Sequence, residues 1–573
     1  MSVILGLSPH FINNSAALLI DGDVAYACEE ERLSREKKTR RFPMLALRDA
    51  LARTNLSMRD VDVVGLSVNA GIYLEHLDTA HSERARYRGE LLYSVPSYLM
   101  SLFDNNSSAG TRQRFDFIDG SKLELEWVEH HLAHAASSFF VSPFETAAIL
   151  SMDGFGEKTC ILFAHGKGNK IYPLARQEFP HSIGCFYATM TELLGFQPYN
   201  DEWKLMGGAP YGNPHRFYTK LRNLFQLKED GVFEMDLSYF NYYQFHRSGM
   251  YAPKLLSYLE LEPNQHDFEL SEVYYDLAAA TQKVTEEVII HMLHSLHRMT
   301  GEKAVCLSGG VAFNSVANGK VVSHTPFRQV FIPPTPDDSG TSLGAALYIH
   351  HQIHGQPRTE PMKANYFGPG YTNDEIERAL GRFEIASHRL ENAPKTAAQL
   401  LAAGKIIGWF QGRVEFGDRA LGNRSILADP RNPAMKDKVN ECIKYREKFR
   451  PFAPSMLSEY LNDFFVDATP TPYMEKVFSI RPEKRSLIPA VTHVDGSGRL
   501  QTVTRCQNPL FYELIHQFQQ LTGVPVVLNT SFNLKGEPVV CSPQDAIRTF
   551  FTSGLDALIM GDFLLEKSFL AGA

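Results

Sequence analysis

The sequence predicts an α/β protein with a duplicated N-terminal half and a second α/β domain behind it. Three observations carry this. First, the chain opens on apolar runs at residues 3–8, 16–20 and 24–28, the last two joined by Asp21-Gly22. That dipeptide tolerates the positive φ angles of a tight hairpin turn. Second, a similar unit returns about 150 residues later. An apolar run at 147–152 meets Asp153-Gly154-Phe155-Gly156, then runs at 159–164 and 171–175 flank the Gly-rich turn 165–169. A strand, Asp/Gly loop and hairpin occurring twice is the mark of internal duplication. Third, the stretch from Gln352 to Gly370 is rich in Gly, Pro and polar residues, and the texture changes after it.

The remaining elements follow in order. Residues 61–68 read as a strand and 127–140 as a helix. Residues 270–299 are amphipathic and almost free of Gly and Pro, which predicts one or two long helices. A short strand at 305–307 enters Ser308-Gly309-Gly310, and another at 330–332 precedes Asp337-Asp338 and a helix carrying Gly344. Beyond the boundary, strands are expected at 405–410 and 524–528, and Ser542 caps a helix running to about Gly554. Two Asp/Gly loops facing each other across a nucleotide cleft characterise the actin and sugar-kinase architecture, which this duplication matches.

Composition excludes several classes. Lys and Arg number 57 against 65 Asp and Glu, a net charge of −8. A weakly acidic chain is a poor partner for nucleic acid, whose phosphates attract basic surfaces. The seven cysteines are scattered, odd in number and form no C-x-x-C, which points to a reducing, cytoplasmic setting. The N-terminus lacks a basic region ahead of an apolar core, and no apolar run approaches the ~18 residues of a membrane span.

Three groups of residues are candidates for chemistry. His130 and His134 stand four apart on an expected helix, so both imidazoles leave one face. The sequence His130-His131-Leu132-Ala133-His134 lacks the Glu of a metalloprotease motif. Asp153 and Asp338 sit on Gly-adjacent loops after strands, where α/β folds place ligands. Two imidazoles with two carboxylates suit Fe(II), Mn(II) or Zn(II). Next, Asp153-Gly154-Phe155-Gly156 and Ser308-Gly309-Gly310 can bring backbone N–H groups to a phosphate. No Walker-type loop and no dinucleotide fingerprint is present. Last, basic residues gather in the C-terminal half: Arg419, Arg424 and Arg431; Lys444, Arg446, Lys448 and Arg450; then Arg499, Arg505 and Lys535. Their convergence would suit a triphosphate and a second anion. The run from Glu29 through Arg32 to Arg41 reads as the solvent-facing start of a helix.

Together the motifs identify a resemblance. The chain resembles the O-carbamoyltransferases of natural-product biosynthesis, the family of the tobramycin, ansamycin and nodulation-factor carbamoyltransferases. The matching stretches are Glu29 to Arg35 (EEERLSR), His130 to Ala135 (HHLAHA), Met152 to Gly156 (MDGFG), Trp203 to Gly212 (WKLMGGAPYG) and Leu307 to Asn314 (LSGGVAFN). In the C-terminal half they are Arg419 to Arg431, Arg446 to Ser455, His493 to Thr502 and Leu528 to Pro538. They cover nearly the whole chain.

The resemblance implies an actin-like (ASKHA-type) domain over 1–355, similar to the enzyme that transfers threonylcarbamoyl to tRNA, and a YrdC-like α/β domain over 365–573. It implies that the C-terminal domain forms carbamoyl-adenylate from carbamoyl phosphate and ATP with release of pyrophosphate. The N-terminal domain would then transfer the carbamoyl group to a hydroxyl of a small natural product, releasing AMP. Cofactors would be ATP, Mg²⁺ and Fe²⁺ or another divalent transition metal. The partners would be carbamoyl phosphate and a small-molecule hydroxyl acceptor, without nucleic acid or membrane; a homodimer is among the assemblies it allows. The metal ligands carried over are His130, His134, Asp153 and Asp338, with Asp338 preferred to Asp337 because Asp338-Ser339-Gly340 matches the family's D-x-G. Gly154, Gly309, Gly310 and Asn314 would lie at the nucleotide. Lys444, Arg499 and Lys535 would hold carbamoyl phosphate and ATP phosphates, with Asn529, Thr530 and Ser531 nearby. Two departures stand out. Relatives carry His-Asp where this chain has Asn13-Asn14, leaving His10 as the candidate catalytic base. Asp418 replaces a usual Pro. The rival readings are a tRNA threonylcarbamoylation enzyme and a non-catalytic nucleotide-binding regulator.

Overall fold

A computed structural model describes residues 1–9, 13–69, 110–244, 249–265, 270–445, 447 and 449–567. They group into two units: Met1–Ala27 with Arg40–Met362, and Cys28–Thr39 with Lys363–Ala573. Among them no helix is long and apolar enough to cross a membrane.

The first unit holds two sheets with one plan. In the first, β1 (Val3–Ser8), β2 (Ser15–Ile20), β3 (Asp23–Glu29), β4 (Val63–Leu66), β5 (Gly110–Asp116) and β6 (Lys122–Val128) stand in the order 3-2-1-4-6-5. In the second, β7 (Thr146–Met152), β8 (Thr159–Lys167), β9 (Lys170–Glu178), β12 (Ala304–Ser308) and β13 (Gln329–Phe331) stand in the order 13-12-7-8-9. Between them in sequence, β10 (Phe225–Leu227) and β11 (Phe233–Met235) form a small ribbon. Each large sheet starts with an antiparallel hairpin whose first strand pairs on its other side with a parallel strand: β1 with β4, and β7 with β12. The duplication read from the two Asp/Gly loops is thus visible as repeated strand order. Asp21 and Gly22 take φ of 51° and 91°, the turn their residue types allow.

Some boundaries differ from expectation. The stretch 127–140 is not one helix: Trp127 and Val128 finish β6, and the helix is His130–Phe139. The polar and apolar residue types of β6 alternate, but its last three residues are all buried and run on into the buried start of the helix. Residues 270–299 form a single helix, Glu272–Thr300, closed by Gly301 at φ 69°.

The second unit is built on a nine-stranded sheet of β14 (His388–Arg389), β15 (Ile407–Phe410), β16 (Arg424–Ala428), β17 (Ala453–Leu457), β18 (Lys476–Ser479), β19 (Ser497–Val503), β20 (Val526–Ser531), β21 (Ala557–Met560) and β22 (Phe563–Glu566), in the order 14-22-21-15-16-20-17-19-18. Helices Ala393–Ala402, Pro509–Thr522 and Pro543–Phe551 supply apolar faces to its core around Trp409, Phe511 and Phe550. Ser542 caps the last helix in a box with Asp545. The Glu29 run corrects the solvent-facing reading. Glu29, Glu30, Glu31 and Arg32 are buried in the second unit, because Arg32 pairs with Glu31 at 2.6 Å and Glu29 at 3.5 Å.

Helix His130–Phe139 crosses helix Thr341–Leu347 closely. A Cβ on Gly344 would lie 1.9 Å from the Ala133 carbonyl oxygen. Gly344→Ala should therefore force the helices apart and destabilise the first unit by about 2–3 kcal/mol, the range of overpacked cores. Chemical denaturation reads this, and an unchanged midpoint would contradict the packing.

Candidate metal centre and anion site

In the first unit four side chains from three segments converge. His130 and His134 lie one turn apart on helix His130–Phe139, Asp153 follows β7, and Asp338 opens a short turn after β13. One ligand atom from each lies within 4.8 Å of all the others. His130 Nε2 and His134 Nε2 are 3.0 Å apart, and both face Asp153 Oδ2, at 3.1 and 3.2 Å. Asp338 Oδ1 stands 3.5 and 3.6 Å from the same nitrogens.

Neighbours aim these groups. Asp153 Oδ1 accepts the backbone N–H groups of Gly154 and Gly310, at 2.8 and 3.2 Å, which turns Oδ2 to the imidazoles. Gly309, at φ 84°, lets this loop close on β7: a Cβ there would be 2.0 Å from the Met152 carbonyl. Glu157 accepts the backbone N–H of His130 at 3.0 Å and holds the start of the helix. Asp337 is used differently from Asp338. Its carboxylate accepts from Asn13 Nδ2 and Ser339 Oγ, both at 2.7 Å. The Asp338 carbonyl accepts from Ser8 Oγ and Thr341 Oγ1, and the Ser339 carbonyl from Ser15 Oγ. The turn presenting Asp338 is thus laced to β1 and β2. His131 bonds Ser151 Oγ instead of joining the four.

The electrostatics ask for positive charge. Burial pulls His134 down, but Asp153 and Asp338 outweigh it and carry its pKa up to about 9. His130 is raised in the same way, against burial and against His134. Burial and the Asp153 charge push Asp338 up, while the two histidines hold Asp153 well below its ordinary range despite burial. Two imidazole nitrogens 3.0 Å apart on one carboxylate are close to the ~3.3 Å separation of two nitrogens bound tetrahedrally at ~2.0–2.1 Å. This N₂O₂ donor set fits a divalent transition metal.

The expected nucleotide residues have structural duties of their own. The N–H groups of Gly154 and Gly310 serve Asp153. Asn314 caps helix Ser315–His324 and exchanges amide hydrogen bonds with Gln282 at 2.9 and 3.1 Å. His10 lies outside the described residues.

In the second unit, Arg499 on β19 has no hydrogen-bond or ion-pair partner for its guanidinium among the described residues. Burial first, then the charges of Arg419 and Arg450, push its pKa well below the ordinary range. A guanidinium does not shed its proton in a protein; Arg450 pairs with Glu447 at 3.5 Å, which leaves the buried Arg499 as a guanidinium suited to an anion. His493 faces the same group. Burial, Arg499 and Lys436 bring it down to about 4 against the pull of Asp495, so it is neutral at pH 7. Lys444 Nζ donates to the Ser531 carbonyl at 2.5 Å and to the Asn533 carbonyl and Oδ1 at 3.0 and 2.9 Å. Asn529 is buried on β20 and its Nδ2 reaches Ala420 O, Ser455 Oγ and Gln501 Oε1. Thr530 and Ser531 end that strand, and Lys535 is exposed beyond it. The other basic residues do not all join. Arg424 is buried over the Phe410 ring at 3.6 Å and bonds carbonyls of Gln411 and Gly412. Arg431 pairs with Asp429 at 2.6 Å and Arg505 with Glu513 at 3.4 Å. Arg446 and Lys448 lie outside the described residues. Sequence reasoning missed Glu157 and His493; each sits inside or beside a motif already singled out.

Comparison with known proteins places the chain in a family. Residues 3–347 match the family model for the carbamoyltransferase N-terminus, and residues 398–567 that for the carbamoyltransferase C-terminus. An uncharacterized protein of Synechocystis is 37% identical over 99% of this chain and 97% of its own length. Nodulation protein NolNO of Sinorhizobium fredii is 37% identical over 98% of this chain and 80% of its own. Nodulation protein NolO of Bradyrhizobium diazoefficiens is 38% identical over 77% of this chain and 79% of its own.

The roles of the two neighbouring aspartates separate cleanly by experiment. Asp338→Asn and His134→Ala should each lose stoichiometric metal, read by elemental analysis, while keeping the melting transition. Asp337→Asn should keep the metal and lose about 1–3 kcal/mol of stability, because Asn13 Nδ2 would face an amide in place of a carboxylate. Metal retained by Asp338→Asn and His134→Ala would remove the assignment.

Proposed function

The chain belongs to the carbamoyltransferase family, and on that premise we propose that it is an ATP-dependent O-carbamoyltransferase acting through carbamoyl-adenylate on a hydroxyl of a small natural product. In this reading the first unit is an actin-like transfer domain and the second a YrdC-like adenylating domain. The observation that carries it is the unpartnered Arg499 guanidinium held close to Arg419 and Arg450. Such a cluster is a receptor for phosphate anions in a weakly acidic chain.

The chemistry balances as follows. Carbamoyl phosphate takes up water and gives carbamate and inorganic phosphate. A carbamate oxygen attacks the α-phosphorus of ATP, the bond to the β-phosphate oxygen breaks, and pyrophosphate leaves. Arg499, Arg419 and Lys444 offset the charge that grows on the leaving oxygens. Lys444 is well placed for this because its acceptors, on Ser531 and Asn533, fix the ammonium at the end of β20. Asn529 holds Ala420 and so keeps the Arg419 turn against the sheet. Mg²⁺ would accompany ATP as its counter-ion.

In the transfer step an acceptor hydroxyl oxygen bonds to the carbamoyl carbon, the carbon–oxygen bond to AMP breaks, and AMP leaves. His130, His134, Asp153 and Asp338 would hold the divalent metal, which supplies a Lewis acid for the carbamoyl or phosphoryl oxygen. Glu157 and the backbone of Gly154 and Gly310 keep those ligands oriented. The acceptor proton needs a base. Asn13 and Asn14 are amides committed to Asp337 and the Arg41 carbonyl, so neither takes it, and His10 is the proposed base.

The adenylation half-reaction tests this without the acceptor. Protein mixed with ATP, carbamoyl phosphate and Mg²⁺ should release pyrophosphate and yield a carbamoyl-adenylate mass, both only when carbamoyl phosphate is present. Lys444→Ala and Arg499→Ala should each slow pyrophosphate release by about 10²–10³-fold, the usual loss on removing one such donor. Undiminished release in either variant would take the reaction away from this cluster.

A further inference from the structure

The segment Cys28–Thr39 carries buried charge that neither the metal centre nor the adenylation chemistry uses. It groups with the second unit although it is hundreds of residues from the rest of it in sequence. Arg35 bonds the carbonyls of Pro538 and Val539 and pairs with Asp545 at 3.2 Å, while Glu29 and Arg32 meet at one residue, Gly417. Glu29 Oε1 accepts the Gly417 N–H at 2.7 Å, and Arg32 Nη2 donates to the Gly417 carbonyl at 2.7 Å. Arg32 is in turn held by Glu31 at 2.6 Å and Glu29 at 3.5 Å. Gly417 has a φ of 130°, where a side chain would be strained. Two residues on is Arg419.

The far end of the same turn is pinned as firmly. Glu415 Oε1 accepts the backbone N–H groups of Leu421 and Asn423 at 2.8 Å each and of Arg424 at 3.2 Å. Asn529 donates to the Ala420 carbonyl and Gln501 to the Leu421 carbonyl. Both ends of the turn are therefore fixed by buried groups.

We infer that Glu29 and Arg32 are positioning residues of the anion site: by gripping both backbone polar groups of Gly417 they hold Arg419 in the guanidinium cluster with Arg499. This rests on the reading of that cluster as an anion site. Stability alone is a poor reason for the arrangement. Burying two carboxylates and a guanidinium costs desolvation that their attraction barely returns, and apolar residues of like volume often serve a fold as well. What ions supply here is direction: one group aimed at the N–H and one at the carbonyl of a single residue, fixing the two peptide units that flank it. The electrostatics of the segment agree. Burial first, with Arg450 adding to it, pulls the Lys37 ammonium below its ordinary range against Glu31 and Asp418. The segment thus lies near a second arginine of the cluster. The acidic Asp418 is felt by both Glu29 and Arg32.

The test is a double-mutant cycle on the full chain, read as the dissociation constant of inorganic pyrophosphate by calorimetry. Arg32→Lys keeps the charge but cannot reach Glu31 and Gly417 together. It should weaken pyrophosphate about tenfold or more, with the metal stoichiometry unchanged. Arg419→Met should weaken it at least as much. If Arg32 acts through Arg419, the double variant binds no worse than Arg419→Met alone. Glu29→Gln keeps an oxygen for the Gly417 N–H and should lose less than Arg32→Lys; should Arg32→Lys not fold, Glu29→Gln takes its place in the cycle. Wild-type affinity in the clamp variants, or losses that add in the double variant, would overturn the inference, as would a wild-type chain that binds no pyrophosphate. A wild type that binds pyrophosphate yet makes none from ATP and carbamoyl phosphate would sink the adenylation reading and leave the clamp standing.

Discussion

Two imidazole nitrogens held 3.0 Å apart on one carboxylate oxygen are the constraint around which the first unit is arranged. Left to themselves, His130 and His134 would not be buried facing each other; desolvation opposes the charge that their contacts to Asp153 and Asp338 demand. The fold overcomes this by fixing every participant from behind. Glu157 anchors the start of the helix, Gly309 lets a loop close on β7, and Gly344 lets a second helix approach within contact of Ala133. The turn bearing Asp338 is tied to Ser8, Asn13 and Ser15. A site assembled from so many segments is stiff, which is what a cation site of defined geometry needs.

The second unit solves the opposite electrostatic problem. It gathers Arg419, Arg450 and Arg499 with a neutral His493 beside them, and holds Lys444 on Ser531 and Asn533 at the end of β20. Like charges gathered in one place are unfavourable without an anion, which is the ground for reading this cluster as an anion site. Buried carboxylates supply the restraint. Glu29 and Glu415 act on backbone N–H groups at the two ends of the turn that carries Arg419, while Arg450 pairs with Glu447 at 3.5 Å. Family membership and these two sites together are the grounds for reading the chain as an enzyme that activates and transfers a carbamoyl group.

Much of this was legible in the sequence, for definable reasons. The duplication showed because Asp-Gly turns and strand-end loops are local features. The four converging side chains were legible as candidates because i, i+4 histidines and Gly-adjacent aspartates each carry a local signature, though choosing Asp338 over Asp337 needed the family pattern. The structure gives the physical difference: Asp337 is consumed by Asn13 and Ser339. What the sequence hid was long-range. Glu29 to Arg32 look like the start of a solvated helix, and only the tertiary structure shows them buried on Gly417, some 385 positions away. Arg424 looks like its neighbours Arg419 and Arg431, yet it is buried over the Phe410 ring within the sheet. The helix at His130 was overextended because β6 delivers apolar residues straight into it. Charge type and spacing are local; burial and pairing are not.

X-ray absorption at the metal edge of the purified, metal-loaded full chain addresses the central claim most directly. The account predicts one metal per chain with a first shell of two imidazole nitrogens and carboxylate oxygens at about 2.0–2.2 Å, and loss of the imidazole scattering in His130→Ala. A shell containing sulfur at about 2.3 Å, or a spectrum unchanged in His130→Ala, would contradict it.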